Sequence, residues 1–387
     1  MKKIKWKFRN LALLGAALLQ IARFGACRRV QTNPKTIAIV QGAKLGDMVC
    51  TTPLFREVKK KYKDARLIVV GDLVNQKLLA GHPAVARYIV WGKNFLETAH
   101  ALQNEKIDYG VVTLPSLESL ALLVCGKARA IAAPVVVNGE SSYETRAYCF
   151  LRRFVIAIPH YFGGYVPREY LRLLNPIGVK SEDTKKWLTV SKEAVANVEG
   201  FLIAEKLRPK KDFIVGMTPA VGGNPRKRWA TENFAAVADY LSKKYNARII
   251  VVGTGRDGSD IEMMMRAMRT ETHIINTLNR FSVEELKALI ASCSLFISAD
   301  TGPIYIAEAF GVPTIDIVGP MDENAQPPRG EVHRVVVPPR VRPAFGILNH
   351  DGSNPKEELR QSEATTVEMV TKVADELLSC NHEISTG

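Results

Sequence analysis

The sequence predicts an α/β protein built from two Rossmann-like domains in series, two doubly wound sheets facing across a cleft. Three observations carry this expectation. Short β-branched runs alternate with helical patterns from residue 36 onward, the rhythm of βαβ units. A polar stretch, KSEDTKKWLTVSKE from Lys180, interrupts that rhythm, and the alternation then restarts. Finally, 387 residues exceed one ordinary core, while 47% apolar and 24% charged residues exclude a disordered chain. The domains read as 1–34, a basic amphipathic segment; 35–185 and 186–350, the Rossmann-like pair; and 351–387, a last helix and tail.

Residues 1–30 contain Lys2, Lys3, Lys5, Lys7, Arg9, Arg23, Arg28 and Arg29 and no acid, so they supply eight of the fourteen net positive charges. Among these charges lies LALLGAALLQIARFGA, broken by Gln20 and Arg23 and shorter than the roughly 20 residues a spanning helix needs. A basic flank beside a short apolar helix, with Trp6 and Phe8 at its start, suits an anionic membrane surface. A secretory signal would look similar, and Phe24-Gly25-Ala26-Cys27 loosely resembles a lipoprotein cleavage site, although Arg23 and Phe24 fit it poorly. A helix simply packed on the first domain is the third reading. Since the first strand begins only near Thr36, an anchor is expected to be separable from the domain.

In the first domain the strands read TIAIV (36–40), ARLIVVG (65–71), RYIVW (87–91), DYGVVTL (108–114) and ARAIAA (128–133). Helical stretches, 48–62 and 116–125 among them, separate these strands. TRAYCFLRRFVIAI and VPREYLRLLNPIG then read as helices, the second ending at Pro176 and Gly178. The second domain reads DFIVGM (212–217), ARIIVVG (247–253), HIINT (273–277), SLFIS (294–298), PTIDIVG (313–319) and HRVVVP (333–338). A Pro-rich loop leads to a helix at about 365–378, amphipathic through Val367, Met369, Val370, Val373 and Leu377. Six scattered cysteines without CxxC spacing argue against a disulfide framework or structural zinc, and seven histidines show no metal spacing.

Ligands of open α/β sheets bind at the carboxyl ends of the strands, and the polar clusters fall there. In QGAKLGDMVCTTPLFREVKKKY a strand runs through Gly42 and Gly46 to Asp47 at a helix start. Asp47 is either an N-cap or a base placed to accept a hydroxyl proton, and the glycines would permit close approach of a ligand. In MTPAVGGNPRKRWATENF, Thr218, Gly222, Gly223 and the run Arg226-Lys227-Arg228 precede a helix, which makes either a diphosphate site or a solvated basic turn. In VVGTGRDGSD, Asp257 could accept from ribose or sugar hydroxyls, or only cap a turn. In SADTGPIYIAEAFGVPTIDIVGP, the Thr301 hydroxyl and the NH groups of Gly302 and Ile304 can hold an anion, with Pro303 where a missing NH is harmless. Asp300 beside an anion would then pair with a hydroxyl or a cation such as Lys227.

GDMVCTTPLFREVKKKYKDARLIVV resembles the N-terminal signature of glycosyltransferase family 9, the heptosyltransferases, and ADTGPIYIAEAFGVPTIDIVGP resembles its C-terminal donor motif. The similarity is taken over about residues 36–345. It implies the GT-B fold, a last helix that returns to the first domain, and inverting transfer from ADP-heptose to a lipopolysaccharide core acceptor without a metal or other cofactor. By position it implies Asp47 as general base, Lys227 on the diphosphate, and Asp300, Thr301 and Gly302 as the donor clamp, with Thr218 and Asp257 matching less closely. Where the family commonly has His, this chain has Tyr305, which can donate a hydrogen bond but does not charge near neutral pH.

The expected partners are a nucleotide sugar, a lipid-linked oligosaccharide and an anionic membrane surface, with no nucleic acid; the expected place is the cytoplasmic face of the inner membrane. A catalytically silent nucleotide-sugar-binding protein is the alternative, motivated by Tyr305. A dinucleotide-dependent oxidoreductase is disfavoured, because neither first βα turn reads GxGxxG.

Overall fold

The computed structural model describes residues 2–92, 94–209, 211–221, 225–269, 274–346 and 354–384, with side chains from Phe8 to Ser379. The chain forms two compact units, one running through Trp187 and one starting at Leu188 and carrying the C-terminal helices.

The first unit comprises α1 (Lys2–Phe24), β1 (Thr36–Val40), α2 (Leu45–Lys61), β2 (Arg66–Gly71), α3 (Leu73–Leu78), β3 (Val85–Val90), α4 (Phe95–Glu105), β4 (Tyr109–Val112), α5 (Leu117–Cys125), β5 (Ala130–Val137), α6 (Arg146–Arg152), β6 (Ile156–Tyr161) and α7 (Val166–Arg172). Its six strands are parallel and ordered β3-β2-β1-β4-β5-β6. Every residue of β1 and β4 is buried, which is why both strands read as unbroken apolar runs: helices cover both faces of the sheet.

The second unit comprises α8 (Lys192–Ala204), β7 (Ile214–Thr218), α9 (Thr231–Tyr245), β8 (Arg248–Val251), α10 (Gly258–Ala267), β9 (Ile274–Asn276), α11 (Val283–Ala291), β10 (Leu295–Ala299), α12 (Gly302–Ala309), β11 (Thr314–Ile317), β12 (His333–Val336), α13 (Pro355–Glu363) and α14 (Val367–Ile384). Its parallel sheet runs β12-β11-β10-β7-β8-β9. Counted from its own first strand, this is the strand order of the first sheet. In each unit the order reverses between the first and fourth strands, β1/β4 and β7/β10, and such a switch point is where open sheets bind ligands.

Three expectations change. TRAYCFLRRFVIAI is not one helix: α6 stops at Arg152, and Ile156–Tyr161 forms the edge strand β6 on β5. Pro159 is tolerated because one side of an edge strand needs no donors. The last helix does not return to the first unit. Val370, Ala374 and Leu377 of α14 join the core of the second sheet against α9, β11 and β12. Nor is the N-terminal segment separable, because Leu13, Ala17 and Ile21 of α1 pack on α5 and α6 within the first core. The chain that follows is tied in by the Cys27 amide donating to the Phe154 carbonyl at 2.9 Å and the Ile131 amide to the Cys27 carbonyl at 3.0 Å. The opposite side of α1 presents Phe8, Leu11 and Leu19 to solvent, each more than half exposed. No described helix is long and apolar enough to cross a membrane.

Candidate active site

At the β1/β4 switch point the loop after β1 is pinned by buried Gln41. Its side-chain amide donates to Thr51 Oγ1 at 3.0 Å, and its Oε1 accepts from the Ala43 amide at 3.0 Å. Thr113, just past β4, donates to the Val40 carbonyl at 2.9 Å. This loop delivers Asp47 as the third residue of α2. It is not the N-cap; that position belongs to Lys44, whose side chain makes no capping bond. Asp47 therefore sits half-buried in the first turn, where the helix dipole favours its charge. Two hydroxyls lie within its electrostatic reach. Burial chiefly, and then the charge of Asp47, raises the pKa of both Tyr143 and fully buried Tyr170, so each stays a protonated donor.

Gly42 is exposed in the loop after β1, and a Cβ there would lie 2.9 Å from the Trp91 ring. Gly46 is buried as the second residue of α2.

At the β7/β10 switch point Lys227 Nζ lies 2.6 Å from Asp300 Oδ2 and 3.2 Å from the Asp300 carbonyl oxygen. Buried Tyr305, one turn into α12, donates to the other carboxylate oxygen, Asp300 Oδ1. Asp300 is thus clasped by a cation and a phenol. Its neighbour Thr301 is the N-cap residue of α12, and its hydroxyl lies 2.8 Å from Ser298 Oγ. The Ile304 amide donates to the Thr301 carbonyl at 3.2 Å, so of the two amides expected to face an anion that one is already used. Thr218 Oγ1, at the end of β7 and in register with Ser298, is buried without a hydrogen-bond partner.

The basic run is not simply a solvated turn. Arg226 pairs with Glu358 of α13 at 3.4 Å and Arg228 with Asp260 of α10, while Lys227 turns to Asp300. Trp229 locks the segment by burying its ring against Phe234 and donating to the Thr365 carbonyl at 2.8 Å. Gly222 and Gly223 lie outside the described residues. Asp257 follows β8, one strand away from the switch point. Its Oδ2 accepts from the Thr254 amide at 2.7 Å and the Thr254 hydroxyl at 2.8 Å, closing a capping box.

The sequence reading missed Asp316. It lies in β11 in register with Ser298, is completely buried, and neither of its oxygens finds a hydrogen-bond partner. Burial, and then the Asp300 charge, drive its pKa well up; Lys227 pulls the other way. A lone acid inside the apolar run PTIDIVG was the available signal, since a strand covered on both faces has no ordinary place for one.

A carboxylate in the first turn of one helix and a lysine beside the N-terminus of another, each at the switch point of its own sheet, can serve proton abstraction and anion binding respectively. Comparison with known proteins agrees with this fold. The model of glycosyltransferase family 9 (heptosyltransferase) matches residues 96–345. The chain belongs to glycosyltransferase family 9. The matched range covers the whole Lys227–Asp300 region and begins downstream of Asp47, so it is shorter than the 36–345 taken from the motifs. Lipopolysaccharide heptosyltransferase 3 of Escherichia coli is 28% identical over 295 residues, which cover 72% of this chain and 81% of that one. Among solved structures, a family 9 glycosyltransferase from Veillonella parvula aligns with a TM-score of 0.67 at 20% identity, covering 90% of this chain and 98% of its own. The E. coli ADP-heptose lps heptosyltransferase II aligns with a TM-score of 0.66 at 18% identity, covering 84% and 97%. These likenesses give the family 9 member the GT-B fold that the sequence predicts.

Proposed function

We propose that this glycosyltransferase moves heptose from ADP-heptose to a lipopolysaccharide core acceptor by inverting displacement without a metal ion. The observation that carries the reading is the Lys227–Asp300 pair, 2.6 Å apart at the start of α12, in a chain whose family consists of heptosyltransferases. In this scheme Asp47 accepts the proton of the acceptor hydroxyl while that oxygen forms the new bond to the anomeric carbon. The bond from that carbon to the diphosphate oxygen breaks, and ADP leaves with the electron pair. Lys227 and the α12 start, with Thr301 and Gly302, stabilise the departing charge. Thr218 and Tyr305 complete the donor-side polar surface, with Asp257 a strand further out. No general acid is required at the leaving group, because ADP is a good leaving group once its charge is met.

The basic α1, with its outward apolar residues, is read as seating the enzyme on an anionic membrane surface at the cytoplasmic face, where a lipid-linked acceptor and a soluble nucleotide sugar meet.

The test is transfer itself: purified full-length chain, ADP-heptose and a lipid-linked core acceptor lacking the terminal heptose, with ADP release and product followed together. Product with the anomeric configuration opposite to that of the donor, read by NMR, supports the reading. Tight ADP-heptose binding without turnover on any acceptor would instead leave a silent binding protein. Turnover with a different nucleotide sugar would move the donor assignment and attribute it to Tyr305.

A further inference from the structure

Three neighbouring strands of the second sheet carry a polar row near their carboxyl ends. Thr218 of β7 stands in register with Ser298 of β10, and Ser298 with Asp316 of β11. The residues before each of them, Met217, Ile297 and Ile315, belong to the apolar core on the α9 and α14 side. By strand alternation the polar row therefore points to the other face, where α12 packs on β10 and β11. Asp316 is completely buried there, and neither its two oxygens nor Thr218 Oγ1 has a hydrogen-bond partner. Nothing in the packing calls for an acid at this position, since Val or Thr would fill the strand without the cost of a buried ionisable group.

The row adjoins the Lys227–Asp300 pair. Asp300 follows Ser298 by two positions, and its amide donates to the carbonyl of Ile317, the residue after Asp316, at 3.4 Å. Charges reach Asp316 from several elements: Asp300 at the end of β10, Lys227 in the segment before α9, and Glu308 on α12. Tyr305 of α12 donates to Asp300, and the Arg329 amide donates to Glu308 Oε1 at 3.3 Å. His333 of β12 bonds Thr314, two residues before Asp316, while α14 covers the opposite face of β11 with Val370, Ala374 and Leu377. Burial first, and then the Asp300 charge, favour the protonated form of Asp316, with Lys227 opposing. While Asp316 is uncharged, the Lys227 ammonium faces one carboxylate, 2.6 Å away. Once Asp316 is charged, the same ammonium faces two.

We propose that Asp316 is a positioning residue for the donor diphosphate: held as an uncharged carboxylic acid, it leaves Lys227 one carboxylate to neutralise, and loss of its proton draws the ammonium away from the diphosphate. The proposal rests on the reading of Lys227 as the diphosphate ligand and adds a proton-linked control to it. Asp316 touches neither donor nor acceptor; it acts through Lys227 and Asp300. A bound diphosphate in turn disfavours a second negative charge beside the pair, so donor binding and the Asp316 proton support each other.

The test is calorimetric titration of the full chain with ADP, from the ordinary carboxylate range to mildly alkaline pH. Paired buffers of different ionisation enthalpy report proton uptake together with affinity. Parent and Asp316→Asn share Lys227, His333 and the phosphates of ADP, so the difference between their profiles isolates Asp316. As pH rises, the parent should lose on the order of tenfold more ADP affinity than Asp316→Asn, the effect of one group whose pKa moves by about one unit on binding. Over the same range the parent should take up more protons per ADP bound. Asp316→Val, which suits a strand interior, should follow the Asp316→Asn profile, and Glu308→Gln should keep the parent's. Coinciding profiles of the parent and both Asp316 variants overturn the proposal and leave Lys227 standing as the diphosphate ligand. A profile flattened by Glu308→Gln and not by Asp316→Asn gives the proton to Glu308 and likewise overturns it. Absence of ADP binding by the parent at every pH overturns the donor assignment and this inference together.

Discussion

Asp316 and Lys227 set the energetics of the second switch point from opposite sides. A carboxyl whose folded pKa is raised folds best when protonated, so its contribution is whole below the ordinary carboxylate value and is lost as pH climbs towards the folded value. Asp316→Asn keeps the shape and removes that loss. The variant should therefore raise Tm, with a gain that grows as pH rises above the ordinary carboxylate range; a gain that is flat with pH would mean that Asp316 does not titrate with folding. Lys227 is different, because removing it strands the Asp300 carboxylate beside Asp316. Lys227→Ala should cost about 3 kcal/mol of stability and weaken ADP binding, the binding loss shrinking as salt rises. Adding Asp300→Asn should restore much of the stability and none of the ADP affinity, as thermal unfolding and calorimetric titration can show. Recovery of both would make the lysine a structural partner only. Asp47, Lys227 and Asp300 were legible as charges at strand ends. Tyr143 and Tyr170, whose pKa values report the charge of Asp47, were not, because they lie about a hundred positions further on and only the folded chain brings them within its reach.

Among the elements, α1 is where local pattern said least about outcome. A helix of charges and leucines can anchor, pack or be removed, and here one face packs while another stays outward. Leu13→Ala should lower stability by about 2 kcal/mol or more, the cost of a truncated buried leucine, whereas Leu19→Ser should leave it within about 0.5 kcal/mol. Denaturant unfolding of the two variants checks this, and equal losses would contradict the assignment of faces. The same ambiguity explains β6. VIAI reads as the end of a helix because a short apolar run carries no period of its own, and its strand state, which continues through PHY, is decided by pairing with β5. By contrast β1, β2 and β10 are readable to within a residue at each end, since strands buried on both faces must be continuous apolar runs, while the run 247–253 overshoots the four-residue β8.

For the molecule as a whole, the restart of the alternation after Lys180 made two sheets legible, but not the order of strands within either. That order depends on which edges pair, and no strand's composition encodes its neighbour. Strand order is also what sorts the polar clusters: Asp47, Thr218 and Asp300 stand at the two switch points, and Asp257 stands one strand away, occupied as a cap. The separate cores predict separate responses to acid. Burial, and then the charge of Arg172, hold His160 of the first unit at a pKa of about 4, so its contribution is present above the ordinary histidine value and is lost as pH falls towards that figure. Scanning calorimetry from neutral to acid pH should show one transition falling early in the parent, and His160→Gln should blunt that fall without moving the other; a single transition shifting as one would contradict independent cores. In the proposed heptosyl transfer Asp47 is the base that takes the acceptor proton. Its most direct test is the initial rate of heptose transfer by the parent and by Asp47→Asn at saturating ADP-heptose, with ADP-heptose affinity measured on the same preparations. Turnover should fall by about two to four orders of magnitude with donor affinity nearly unchanged, since a general base acts on the transition state and not on donor binding. Near-parent turnover by Asp47→Asn would contradict it.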